Sequence, residues 1–245
     1  MRFDVVTLFP EMILSAASYG VTGRAIERQI VSLSVWNPRD YTEDKHRTVD
    51  DRPYGGGPGM VMKCQPLHDA VKSAKKAGSS TAKVVYLSPQ GKPITQALLS
   101  EVCDVPQLIL VAGRYEGVDE RFVTMDCDDE WSLGDYVISG GELGALIVID
   151  AITRLLPGVL GHKESAQQDS YMNGLLDYPH FTRPEILETV SVPDVLLSGN
   201  HADIAIWRMK QALGRTWQRR PDLLKNKNLN AEQEYLLQQF KSEVE

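Results

Sequence analysis

Three short glycine-bearing stretches hold the residues best suited to chemistry. They are Ser88-Pro89-Gln90-Gly91, Gly113-Arg114-Tyr115-Glu116-Gly117 and Leu133-Gly134-Asp135-Tyr136-Val137-Ile138-Ser139-Gly140-Gly141-Glu142. Each stands at, or just after, the end of a strand-like run. In open α/β sheets ligands bind beyond the carboxyl ends of the strands, so three such turns can converge on one small molecule. Taken singly, each is also an ordinary strand-to-helix turn. None has G-x-G-x-x-G spacing, which counts against a dinucleotide site. A fourth stretch, Asp50-Asp51-Arg52-Pro53-Tyr54-Gly55-Gly56-Gly57-Pro58-Gly59-Met60, is richer in glycine still. A phosphate cradle is one reading of it. It lacks the Lys-Ser/Thr ending of a P-loop, and spacing alone favours a mobile surface loop. Asp44-Lys45-His46-Arg47, just before it, adds charges able to touch a polyanion.

The elements that must position these turns alternate along the first 160 or so residues. Asp4 to Phe9, Ser32 to Trp36, Lys83 to Ser88 and Gln107 to Ala112 have strand composition. Leu67, Ala70, Val71 and Ala74 recur at helical spacing, which predicts a helix over Pro66 to Ala77 closed by Gly78. A second helix is expected from Ile94 to Cys103. A third, Glu142 to Leu156, is apolar nearly all round and should be largely buried before Pro157-Gly158 ends it. Strands alternating with helices predict an α/β fold with a parallel sheet covered on both faces. The segment 161–175 is polar and weakly periodic and reads as a linker between a domain over 1–160 and a small helical domain over 176–245. In the latter, Ala202, Ile206, Met209 and Leu213 lie on one stripe, Asn200 is placed to cap that helix with Asp203 three residues on, and Asn230 to Val244 reads as a last helix.

Composition narrows the class. The chain has 245 residues, 42% hydrophobic and 24% charged, as soluble globular proteins do. No apolar run approaches the roughly 20 residues of a membrane span, so no membrane partner is expected. The N-terminus is too short and too acidic for a signal peptide and reads as a first strand. Cys64, Cys103 and Cys127 are odd in number and widely spaced, which argues against a disulfide framework or a zinc site and predicts small buried hydrophobes in a reduced cytoplasmic protein. The net charge of −7 argues on its face against nucleic acid. Yet Ala205 to Arg220 carries Arg208, Lys210, Arg215, Arg219 and Arg220 and no acid, a local +5 that leaves −12 on the rest. A solvated helix face and a phosphate-binding face are both compatible with that run.

Taken together, Leu8-Phe9-Pro10-Glu11-Met12, Trp36-Asn37-Pro38-Arg39-Asp40, the Asp50 to Met60 stretch, Leu87-Ser88-Pro89-Gln90-Gly91, Gly113-Arg114-Tyr115-Glu116-Gly117, Gly134-Asp135-Tyr136-Val137 and Gly174-Leu175-Leu176-Asp177-Tyr178-Pro179-His180 resemble, in order and spacing, the bacterial tRNA (guanine-N1)-methyltransferases. The likeness runs from the first strand through Trp217-Gln218-Arg219-Arg220-Pro221 and is poorest in the polar tail beyond. It implies a fold of the knotted SPOUT class, in which a deep trefoil knot threads the sheet, a rare exception to the unknotted rule. It implies S-adenosylmethionine as methyl donor, bound in the knot by Leu87 and Pro89, by Gly113, Tyr115 and Glu116, and by Leu133, Gly134, Asp135, Tyr136, Val137, Ile138, Gly140 and Gly141. It implies a homodimer with an active site shared between subunits, and tRNA as substrate, held in part by Arg208, Lys210, Arg215, Arg219 and Arg220. Trp207 and Trp217 in that run read better as packing than as base-stacking residues.

The reaction itself sets two requirements. Guanine N1 carries a proton at neutral pH, so a general base must take it as the new bond forms, and charge building toward O6 calls for a fixed cation. The resemblance assigns these roles to Asp169 and Arg154. It also brings in Mg2+ as an assisting ion, acting on the tRNA or near the carboxylates of the site; no compact carboxylate cluster in the sequence marks a metal site. Two other classes are a non-catalytic RNA-binding protein on the same fold and a nucleotide-binding enzyme using the Asp50 to Met60 loop. The unbroken motifs argue against the first and the missing Lys-Ser/Thr against the second.

Overall fold

Along the central strands, consecutive side chains point to opposite faces of the sheet, and both faces are apolar. Phe3, Val5, Val85, Leu87, Leu108 and Leu110 enter one core, and Val6, Val84, Tyr86, Ile109 and Val111 enter another. Such a sheet must be covered on both sides. A computed structural model, describing residues 1–79, 81–161, 169–225 and 227–244, shows how.

The chain divides into two units, Met1–Gly161 and His162–Glu245. In the first, the elements run β1 (Arg2–Val6), α1 (Pro10–Ala17), α2 (Gly20–Glu27), β2 (Ser32–Trp36), β3 (Asp50–Asp51), β4 (Val61–Met62), α3 (Cys64–Ala77), β5 (Lys83–Pro93), α4 (Gln96–Glu101), β6 (Gln107–Ala112), α5 (Glu120–Asp126), β7 (Asp129–Ser132) and α6 (Glu142–Thr153). Five strands form one sheet in the order β2-β1-β6-β5-β7, every pair parallel. Ile13, Ala25, Leu99, Ala145, Val148, Ile149 and Ile152 bring α1, α2, α4 and α6 onto one face. Leu67, Ala70, Val71, Ala74 and Phe122 bring α3 and α5 onto the other.

Several expected boundaries move, for local reasons. The first strand covers Arg2–Val6 rather than Asp4 to Phe9, because Pro10 takes a first-turn position of α1 and Glu11 supplies the acid favoured there. Thr95 caps the second expected helix at Leu98 N (3.2 Å), so it starts later than Ile94. Ser88 to Gly91, read as a turn, is a bulge inside β5: pairing with β7 breaks after Leu87 and resumes at Lys92 opposite Trp131. A Cβ on Gly91 would lie 2.4 Å from the backbone of Glu130 and Trp131, so only glycine lets the bulge pack there. The glycine-rich stretch is the exposed loop of the small antiparallel β3–β4 hairpin and turns on Gly55, Gly56 and Gly57, all with positive φ. The helix from Glu142 is not buried all round: Leu143 and Ile147 are 50% and 49% exposed. The cysteines are free thiols, partly rather than fully buried, and burial pushes the Cys127 thiol up to about 12.

The second unit holds a two-stranded hairpin, β8 (Ile186–Leu187) with β9 (Val190–Ser191), then α7 (Asp194–Leu197), α8 (His201–Arg219), α9 (Asp222–Lys225) and α10 (Ala231–Val244). Asn200 caps α8 by accepting from Ala202 N at 3.1 Å, and its amide donates to Asp203 at 2.7 Å. Only the later part of the expected stripe is deeply packed: Leu213 is fully buried, whereas Ile206 is half-exposed. Leu213, Ala212, Leu175 and Leu236 form the core, and Gly214 seats the Phe240 ring where a Cβ would collide with it. Of the expected linker, 162–168 lie outside the described residues. Gly161 ends the first unit, and 169–175 belong to the second, with Leu175 in its core and Tyr171 N donating to Leu175 O at 2.7 Å. No described helix is long and apolar enough to cross a membrane.

Candidate functional site

A pocket opens in the first unit beside the bulge of β5 and the carboxyl ends of β6 and β7. Leu87 and Pro89 reach it from β5, and Gly113, Tyr115 and Glu116 from the turn after β6. Leu133, Tyr136, Val137, Ile138, Gly140 and Gly141 reach it from the segment between β7 and α6. Gly134 and Asp135, expected with them, belong to that segment but are not on the described wall. Tyr86, Trp131, Ser132 and Gly144, which sequence reasoning missed, also line it. They sit within strands or just inside a helix, where nothing in the residue pattern marks a ligand contact.

Glycines bring backbone close within the wall. Gly141 N donates to Gly113 O at 3.0 Å, joining two of the turns. A Cβ on Gly141 would stand 2.7 Å from Ala112 Cα, and one on Gly113 would stand 2.8 Å from the Tyr86 ring. Burial pushes the Tyr86 phenol up to about 12, so this ring is a neutral floor at any working pH. Ser132 Oγ and the Gly134 backbone hold each other, with Gly134 N donating to Ser132 Oγ at 3.1 Å. Tyr115 has φ +61°, a left-handed conformation that costs a non-glycine residue about 1–3 kcal/mol. It is held there by Glu116 N donating to Met60 O (3.0 Å) and Gly117 N donating to Arg114 O (3.2 Å). Met62 N in turn donates to Gly117 O at 2.9 Å, so the glycine-rich hairpin is fastened to the pocket turn. A nucleoside-like ligand is the kind of molecule such a pocket can grip, because glycines leave N–H and C=O groups free to meet a base edge.

The other expected residues lie at defined places in their own units. Arg154 closes α6, half-buried, with its N–H donating to Asp150 O at 3.1 Å. Asp169, half-buried in the second unit, accepts from Met172 N at 3.3 Å through its backbone oxygen. Of the basic run on α8, Lys210 is ion-paired with Glu243 of α10 at 2.7 Å, and Arg220 with Asp222 at 2.7 Å. Arg208 lies over the Tyr178 ring, 4.7 Å from its centroid. Arg215 is half-buried and Arg219 exposed, and neither has a carboxylate partner among the described residues. Trp217 packs under Lys241, 5.2 Å from its ammonium, and Trp207 meets Phe181 with ring centroids 6.3 Å apart. No group of three or more His, Cys, Asp or Glu side chains is arranged to hold a metal ion among the described residues.

Known proteins resemble the chain over this whole arrangement. A family described as tRNA (Guanine-1)-methyltransferase TrmD matches residues 1–226. A tRNA (guanine-N(1)-)-methyltransferase of Methylococcus capsulatus is 62% identical over 245 residues, covering 100% of this chain and 98% of that one. Proteins of the same description from Pseudomonas putida (58% over 240 residues, 98% and 96% covered) and Tolumonas auensis (59% over 244 residues, 100% and 98% covered) are similar to it throughout.

Proposed function

The chain belongs to the tRNA (guanine-1)-methyltransferase family, and on that premise we propose that it methylates N1 of the guanosine immediately 3′ of the anticodon in tRNA, giving 1-methylguanosine. The observation that carries this reading is the convergence of the β5 bulge and the turns after β6 and β7 on one pocket whose glycines bring backbone to its wall. S-adenosylmethionine fits that cradle and, when bound, supplies an electrophilic methyl group on a sulfonium. The knot of the family is part of the proposal: β5, β6 and β7 lie side by side, as its threaded strands would.

The protein's own part is to hold the guanine and manage one proton. Asp169 takes the N1 proton as the N1–carbon bond forms and the sulfur–carbon bond breaks. Arg154 faces O6, where negative charge develops, and stabilises it without moving. Among the described residues no group of three or more His, Cys, Asp or Glu side chains is placed to hold Mg2+. Radiolabelled S-adenosylmethionine and unmodified tRNA test the reading: the digested product should carry label in 1-methylguanosine, and label in any other nucleoside, or none, would refute it. Action on tRNA fits a cytoplasmic location.

The enzyme works, on this proposal, as a homodimer, with the donor pocket of one subunit served by the partner's Asp169. On α6, Leu143 and Ile147 stand one turn apart and are both exposed, apolar side chains that a partner subunit would cover. Mixing a donor-pocket variant such as Gly141→Val with Asp169→Asn should recover activity that neither homodimer has, since each heterodimer keeps one intact site. Heterodimers without activity would mean that each subunit is self-sufficient.

Arg208, Lys210, Arg215, Arg219 and Arg220 meet the tRNA backbone on this proposal, with unequal weight. Lys210 and Arg220 are already neutralised by Glu243 and Asp222. Neutralising Arg215 and Arg219 should therefore flatten the dependence of tRNA affinity on salt by about 0.7–0.9 in log–log slope per lost phosphate contact. Lys210→Gln should change it less. Filter-binding titrations across salt concentrations read the difference, and equal slopes in all variants would make α8 a solvated face.

A further inference from the structure

We propose that Glu142, acting through Arg114, is a positioning residue for the donor pocket: the buried pair sets the distance between two of its walls. Glu142 opens α6 and is fully buried, yet it carries a carboxylate. A buried charge is kept only where it is paired and hydrogen-bonded. Its Oε1 accepts from Thr7 Oγ1 at 2.8 Å, and its Oε2 accepts from Arg114 Nε at 2.9 Å and lies 2.8 Å from Arg114 Nη2. Thr7 Oγ1 in turn accepts from Phe9 N at 2.9 Å. The Arg114 guanidinium covers the Phe9 ring, 4.4 Å from its centroid, and its Nη1 donates to Ser139 O at 3.2 Å.

One carboxylate thus gathers three segments: the end of β1, the turn after β6 and the turn before α6. The last two are pocket walls, while Glu142 stands behind them. The arginine runs so close to Gly140 that a Cβ there would lie 2.2 Å from its Nε. A neutral, well-packed replacement of a buried ion pair often leaves a fold intact. Stability alone therefore does not explain why a charge sits at this junction. A rigid link does, because a pocket that grips its ligand by backbone groups loses fit when a wall shifts by about 1 Å.

The inference rests on the reading of this pocket as the donor site, and the two can fail separately. Calorimetric titration of the full chain with S-adenosylhomocysteine, below the melting temperature of every variant, is the test. No binding by the wild type would sink the donor-site reading and this inference with it. With the wild type binding, Glu142→Gln and Arg114→Lys should each weaken affinity at least tenfold. The double variant should be no weaker than the weaker single one, since both break the same link. Val148→Ala, in the core beneath the same helix, should lower the melting temperature and leave affinity within twofold. If Glu142→Gln fails to fold, Arg114→Lys, at a partly exposed side chain, decides alone. Binding within twofold of wild type in the folded pair variants would overturn the proposal. So would an equal loss of affinity in Val148→Ala at equal loss of melting temperature.

Discussion

A Gly141→Val protein should lose donor affinity by far more than tenfold, that is, by more than about 1.4 kcal/mol. Gly141 has φ −76°, a conformation open to any residue, so the whole effect comes from space. Its missing Cβ would lie 2.7 Å from Ala112 Cα and 3.1 Å from Gly113 N. Both are backbone atoms at the end of β6, a strand buried along its whole length, and they cannot swing aside. The turn before α6 must then move off the sheet end, breaking the bond from Gly141 N to Gly113 O and changing the pocket wall. Such overpacking also costs about 1–3 kcal/mol of stability, so binding is to be measured well below the melting temperature. Gly140→Val would place its Cβ 2.2 Å from Arg114 Nε and should weaken binding by pushing that side chain off Glu142. Gly134→Val forces φ +142° on a branched residue and should weaken binding through the Ser132–Gly134 turn. Calorimetric titration with the donor product checks all three. Wild-type affinity in a folded Gly141→Val protein would place the donor elsewhere.

What could be read from residues alone follows from how far apart the interacting groups lie. Val84 to Leu87 and Leu108 to Ala112 were legible because strands buried on both faces read as near-continuous apolar runs. Asp129–Ser132 was not: a four-residue edge strand, half acidic, has no such mark. Ser88 to Gly91 looked like a turn because a bulge is defined by the partner strand, and pairing resumes between Lys92 and Trp131, far apart in sequence. The pocket turns were visible through their glycines, whereas Tyr86 and Gly144 belong to it only by the way β5 and α6 are packed. The charges on α8 were visible, but the acid that neutralises Lys210 lies 33 residues further on, in the tail that resembles the family least. That same tail supplies Leu236 and Phe240 to the second core. Asp169 and Arg154 carry no mark of their own in spacing or composition. Their roles come with the family, and so they need a direct test.

Replacing Asp169 by Asn should slow methyl transfer in single turnover by about 10²–10⁴-fold, the usual contribution of a general base. The change keeps the side-chain shape and removes its basicity, so the N1 proton has nowhere to go when the lone pair must attack. Donor affinity should stay near that of wild type, because the pocket wall of the first unit is built without Asp169. Affinity for tRNA should fall only by the value of a hydrogen bond, about 0.5–1.5 kcal/mol. A rate loss confined to the chemical step, with both affinities held, is what separates a base from a residue that merely helps to bind. Turnover within about threefold of wild type would remove Asp169 from the reaction. Asp50 and Asp177 are then the carboxylates to examine. Of these, Asp177 is already engaged, with Oδ1 accepting from Tyr178 N at 2.7 Å and Oδ2 lying 2.8 Å from His180 Nε2. Asp50, half-buried in the hairpin whose β4 strand is fastened to the pocket turn, would be the first to replace.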